Sequence, residues 1–164
     1  MKKKKRWRIC YLIYSLIIIK LIIFKYPISE LLVISQSWGE GFIRDGIASA
    51  NFIPFKTIMM YIKYYETMNS FENLIGNILV FIPLGFILPR AFYKFNHPVW
   101  LVFFSFVFIM DVELFQLVTR FGAFDVDDII LNMLGVILGF LITKMIEKLR
   151  VQIAYRKEGI YESL

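Results

Sequence analysis

Cysteine and histidine are nearly absent: the 164 residues hold one of each, Cys10 and His97. A lone cysteine excludes an intramolecular disulfide and every cysteine-based zinc pattern. No apolar stretch precedes Cys10, so it reads as a small packing or lipid-facing residue rather than a lipoprotein cleavage site. Charge is scarce as well, at 20% of residues against 59% apolar. With a mean hydropathy of +0.65, the composition points to an integral membrane protein. A signal-peptide cleavage site is also missing. The start "MKKKKRWRICYLIYSLIIIKLIIF" has a basic region and an apolar region, but no small-x-small triplet, and Lys20 interrupts the run. An uncleaved signal anchor is the expectation. The net charge is +6, with the basic residues clustered at the two ends and in one short loop. That layout speaks of membrane orientation and against nucleic acid.

Four segments have the length and apolarity of a bilayer span of roughly 20 helical residues. They cover about residues 8–26, 73–93, 98–118 and 126–146. The first carries Lys20 and Lys25, the latter placed to snorkel. The fold expected is all-α, an integral membrane bundle of four transmembrane helices. Residues 1–26 are its basic tail and first helix, 27–146 its main domain, and 147–164 a cytoplasmic tail. Lysine and arginine set the orientation. Lys2–Arg8, then Arg90 and Lys94, then Lys144, Lys148, Arg150, Arg156 and Lys157 fall on one side if there are four spans. That side is the cytoplasm, with both termini in it. The loops at about 27–72 and 119–125 then lie outside. Residues 51–68, "NFIPFKTIMMYIKYYETM", have two readings: an interfacial amphipathic helix, or packing across the mouth of the bundle. His97 reads as a cap on the third span, on the cytoplasmic side.

Polar residues break the apolar spans at one level. On a helix Glu113, Gln116 and Arg120 share a face, as do Asp128, Asn132, Gly135 and Gly139, and as do Asn73 and Asn77. Glu113 lies about five residues inside the outer end of its span, roughly 7–8 Å at the helical rise. Asn77 and Asn132 lie at a similar depth in theirs. A central acid or arginine costs roughly 2.5–3.5 kcal/mol on insertion scales. Such groups face the bundle interior and pair, or line a wet cavity. Arg120 is the expected partner of Glu113 or of an acid among Asp125, Asp127 and Asp128. Pro83 and Pro89 are expected to bend the second span. The bland reading is that the network only joins helices. Asp111 points nearly opposite to Glu113 and is left outside the candidate site.

These residues resemble the VanZ-like family. "NFIPF", Asn51 to Phe55, matches one block. "GNILVFIPLGFILP", Gly76 to Pro89, matches a second. Glu113, Gln116, Arg120, Asp125, Asp127, Asp128, Asn132 and Gly135 match a third. Asp111 departs from the pattern, which more often has a small residue there. The resemblance implies a small multi-span protein of the bacterial cytoplasmic membrane. It also implies a part in resistance to teicoplanin-like glycopeptide antibiotics or in other cell-envelope stress.

The candidate binding cluster is therefore Asn77, Glu113, Gln116, Arg120, Asp125, Asp127, Asp128 and Asn132. Its expected partner is a membrane lipid, a cell-wall precursor or a glycopeptide; no cofactor or bound metal is expected. One functional reading is binding or protection at the outer face. The alternative is an outer-leaflet enzyme, with Glu113 or an acid of 125–128 as general base and Arg120 stabilising an oxyanion or phosphate. A transporter lacks a polar path toward the cytoplasm, Lys20 and Asp111 aside. The oligomeric state is not readable from the chain.

Overall fold

The structure, a computed structural model, describes residues 2–23, 27–36, 38–65 and 70–161. Among them are seven α-helices and a short 3₁₀ turn, Tyr93–Asn96, and no strand. The helices are α1 (Lys2–Ile23), α2 (Ile28–Gln36), α3 (Phe42–Ser49), α4 (Lys56–Lys63), α5 (Ser70–Ala91), α6 (Pro98–Thr119) and α7 (Val126–Tyr161). The all-helical expectation agrees with this.

Among the described residues three helices are long and apolar enough to cross a membrane: Glu72–Ala91, Pro98–Thr119 and Val126–Arg156. The expected first span is not among them. Arg6, Arg8 and Lys20 crowd its helix, whose described part runs to Ile23. Residues 24–26 of that expected span lie outside the described residues. The long connection at 27–72 is more structured than a linker, since it contains α2, α3 and α4. Within the expected segment 51–68 the helix covers only Lys56–Lys63, and residues 66–68 lie outside the described residues. At the other end α7 continues fifteen residues past 146, carrying the chain well beyond one bilayer thickness.

The centre of the fold is the crossing of α5 and α7, its most extensive helix pair. A Cβ at Gly85 would lie 1.9 Å from the Val136 carbonyl oxygen. One at Gly139 would lie 2.0 Å from that of Ile82, and one at Gly135 2.2 Å from that of Ile78. No side chain fits, so the two backbones touch. Small residues four apart do this where lipid removes the hydrophobic drive for helix association. Leu84, Leu88, Val136, Leu101 and Ile109 fill the adjoining core.

α1 lies along α5. Ile18 is buried there, and the Tyr14 hydroxyl donates to the Val80 carbonyl at 3.1 Å. That carbonyl is next to the one of Leu79, whose helical donor is removed by Pro83 inside α5. At the far end of the bundle, basic and aromatic residues interleave. Arg90 lies 3.7 Å from the centre of the Phe86 ring and bonds both the Phe86 carbonyl and the Thr143 hydroxyl. Lys94 lies 3.8 Å from the centre of the Trp100 ring. His97 occupies the position before α6, but its side chain makes no capping hydrogen bond; Pro98 at the first turn starts the helix instead.

The α5–α7 crossing yields a contrast. Gly85→Ala is expected to lower stability by about 2 kcal/mol or more through overpacking against backbone. Gly76→Ala, with nothing within 4 Å of the new Cβ, is expected to be neutral or to gain up to about 1 kcal/mol. Thermal unfolding of the two variants in detergent measures the difference; equal midpoints would refute backbone contact at Gly85.

Candidate functional site

At the end of the bundle where α6 stops and α7 begins, the chain holds itself together through carboxylates. The backbone of Asn51 pairs with the start of α7. Its N–H donates to the Phe124 carbonyl at 2.8 Å, and its carbonyl accepts from Val126 at 3.0 Å. The side chains repeat the link. Asn51 Nδ2 donates to Asp125 Oδ1 at 2.8 Å, and the Thr57 hydroxyl donates to Asp125 Oδ2. Asp127, with no exposed surface, accepts the backbone N–H groups of Phe55, Thr57 and Ile58. These are orphan donors at the start of α4, which an apolar setting cannot leave unpaired. The turn that presents them puts Phe55 at φ 66°, a left-handed conformation.

Glu113 ties α6 to the same assembly. Its Oε2 accepts the Asp125 N–H at 3.1 Å, and only 2% of its surface is exposed. Asn77 Nδ2 of α5 donates to Asp128 Oδ1 of α7 at 2.6 Å. Between α1, α5, α6 and α7 these side chains enclose a cavity of about 280 Å³. Its polar wall is Glu72, Asn73, Asn77, Glu113, Gln116, Asp128 and Asn132. Ile18, Leu21, Val80, Phe81 and Val112 complete it. Asn132 is 4% exposed, and among the described residues its Oδ1 has no hydrogen-bond partner. The phenol of Tyr61, on α4, interacts with Asn73 and with the Asp128 and Asp125 carboxylates. Burial first, then those two carboxylates, push its pKa above the ordinary range, so it stays a neutral hydroxyl.

Five of the eight residues singled out in the sequence meet at this cavity: Asn77, Glu113, Gln116, Asp128 and Asn132. Asp125 and Asp127 do not line it; their oxygens are occupied in holding the 51–58 segment. Arg120 is a correction. The helical spacing that placed it beneath Glu113 fails because α6 ends at Thr119 and Arg120 turns left-handed at φ 57°. Its guanidinium sits 5.1 Å from the centre of the Phe42 ring on α3, and it forms no ion pair with a carboxylate among the described residues. Asp111 is exposed on the outside of α6. Thr57 and Tyr61 escaped the sequence reading. Their signal is faint: a hydroxyl two residues past the Pro-Phe pair, and another one turn further on.

Helices of membrane-spanning length, gathered around a buried acidic cavity and a looped-in connection, define an all-helical protein of membrane type. The sequence profile of VanZ/LLP1 proteins matches residues 11–147, most of the chain. The chain belongs to the VanZ/LLP1 family. Over 77 residues it is 31% identical to Protein VanZ of Enterococcus faecium. That alignment covers 46% of this chain and 46% of the relative, so the chain spans about half the length of the curated relative it matches. No solved structure matches.

The clamp generates a second prediction. Asp127→Ala strips the buried acceptor from three backbone N–H groups and is expected to cost about 2 kcal/mol or more. The loss is measured as a lower unfolding midpoint together with new protease cuts within residues 51–65. An unchanged midpoint and intact segment would show that Asp127 does not hold α4.

Proposed function

We propose that this VanZ/LLP1 protein sits in the cytoplasmic membrane of a bacterium with four spans. α1 contributes the first, and both termini lie in the cytoplasm. The basic ends and the Arg90–Lys94 turn support that orientation. The cavity then opens near the outer leaflet and binds the polar part of a lipid, a cell-wall precursor or a glycopeptide of the teicoplanin type. By binding or shielding that group the protein contributes to resistance or to envelope maintenance.

The observation that carries this reading is the convergence of Asn77, Glu113, Gln116, Asp128 and Asn132 from three helices on one cavity. Helix-joining amides alone would pair with one another and leave no space between them. Here about 280 Å³ stays open, with room for a small polar group and several waters. A catalytic role draws less support, because the cation that would stabilise an oxyanion or phosphate, Arg120, lies on Phe42 instead.

Glu113→Gln is the informative variant, because an amide oxygen still accepts the Asp125 N–H while the carboxyl group is lost. It is expected to insert normally and to lose the protective phenotype of the wild type, read as glycopeptide susceptibility in a deletion strain. Lipid and muropeptide profiles should stay unchanged between the strains. Wild-type susceptibility at normal expression would refute a binding role for the cavity, and a new lipid or muropeptide species would point to chemistry. A reporter fused at residue 123 should report an extracytoplasmic position.

A further inference from the structure

The 3₁₀ turn between α5 and α6 gathers cations from three parts of the chain. Lys94 lies in the turn, its amine 3.8 Å from the centre of the Trp100 ring. From α1, Lys4 sits 6.0 Å from the centre of the Tyr93 ring and Arg8 5.4 Å from that of Phe92. From α7, Lys144 donates to Asn96 Oδ1 at 3.1 Å. Glu147 at this end is paired with Lys144, and among the described residues no carboxylate forms an ion pair with Lys4, Arg8 or Lys94. Aromatic faces hold these cations where acids would otherwise do so. Their charge therefore stands uncompensated at the surface, where all three side chains are exposed.

Beside the turn, Tyr93, Lys94, Asn96, His97 and Trp100 line an open cleft of about 420 Å³. From it an apolar strip continues along α6. Trp100, Phe103 and Val107, spaced i, i+3 and i+7, share one face and are all exposed. The cleft is thus a cationic mouth at the head of a hydrocarbon-facing track. A soluble anion would use the mouth alone, whereas a phospholipid would use both. Arg90 lies thirteen residues beyond Asn77 on α5, about 20 Å at the helical rise, so this cleft is separate from the acidic cavity.

We infer that the cleft binds the phosphate of an anionic phospholipid headgroup. Lys94 and Lys4 supply the charge, and an acyl chain lies along Trp100, Phe103 and Val107. An ethanolamine or choline headgroup would bring a further cation to a surface already rich in them. A glycerol headgroup leaves the phosphate charge unopposed. The site therefore ranks phosphatidylglycerol above phosphatidylethanolamine and phosphatidylcholine. Orientation in the membrane depends on how many basic residues lie on one side. Lipid binding at this cleft depends on where they stand within that side.

The test uses the full-length protein purified in detergent and offered the three lipids with identical chains, with retained lipid read by native mass spectrometry. Phosphatidylglycerol should be retained about tenfold over each of the others. Lys94→Gln should lower that preference about fivefold. The double variant Lys4→Gln, Lys94→Gln should bring it close to one, and Lys94→Arg should preserve it. Arg156→Gln removes the same charge twelve residues beyond Lys144, about 18 Å along α7, and should leave the preference intact. Equal losses in Arg156→Gln and Lys94→Gln would overturn the cleft in favour of diffuse attraction to the basic end. Inorganic phosphate is added as a competitor. Displacement of the lipid by phosphate at equal concentration would assign the mouth to a soluble anion and overturn the lipid. Equal retention of all three lipids by the unaltered protein would overturn the site outright.

Discussion

A carboxylate with no surface of its own organises one end of this protein. Asp127 accepts three backbone N–H groups from the turn into α4, while Asp125 beside it takes the Asn51 amide and the Thr57 hydroxyl. A helix start in an apolar environment needs acceptors for its first donors. Supplying them from the first turn of α7 locks a connection some seventy residues away in sequence onto the bundle. The same turn hands the Asp125 N–H to Glu113. Three separate stretches are thus registered to one another by charge-assisted bonds, which are stronger than neutral ones. The cavity exists because those stretches are held at fixed spacing.

The second constraint is the absence of side chains where α5 and α7 cross. Gly85, Gly135 and Gly139 let carbonyls approach positions that any Cβ would occupy. Close approach at mid-bundle, with carboxylates and amides spaced at one end, gives the helices a tight waist and an open polar end. That division explains why the polar residues do not collapse into a joint between helices. Asn77 and Asp128 meet, and the space beyond them remains.

The limits of sequence reading here have physical causes. Helical spacing correctly put Asp128 and Asn132 on one face and Asn77 one turn from Asn73, because those stretches are uninterrupted helix. The same rule failed for Arg120, since a period holds only while the helix lasts and α6 ends one residue earlier. Acidic residues close in sequence were grouped as one site, yet Asp125 and Asp127 serve backbone donors while Asp128 faces the cavity. Which of three neighbouring carboxylates meets a distant loop depends on where that loop returns, and no local pattern records it. The first span illustrates a further limit: its run is strongly apolar, but Arg6, Arg8 and Lys20 charge its helix, and hydropathy does not weigh those charges against its length.

The sequence by itself determined the helical, membrane-type character of the chain, the extent of α5 and α6, the family and most of the polar residues around the cavity. The family followed from a resemblance of motifs, and the rest from composition or from periodicity within one segment. Tertiary structure alone decided that Asp127 is a clamp, that Arg120 rests on an aromatic ring, and that Asn132 is left with an unmatched oxygen. Those outcomes turn on which remote atoms arrive within hydrogen-bonding distance, and that is a property of the packed chain rather than of any stretch of it.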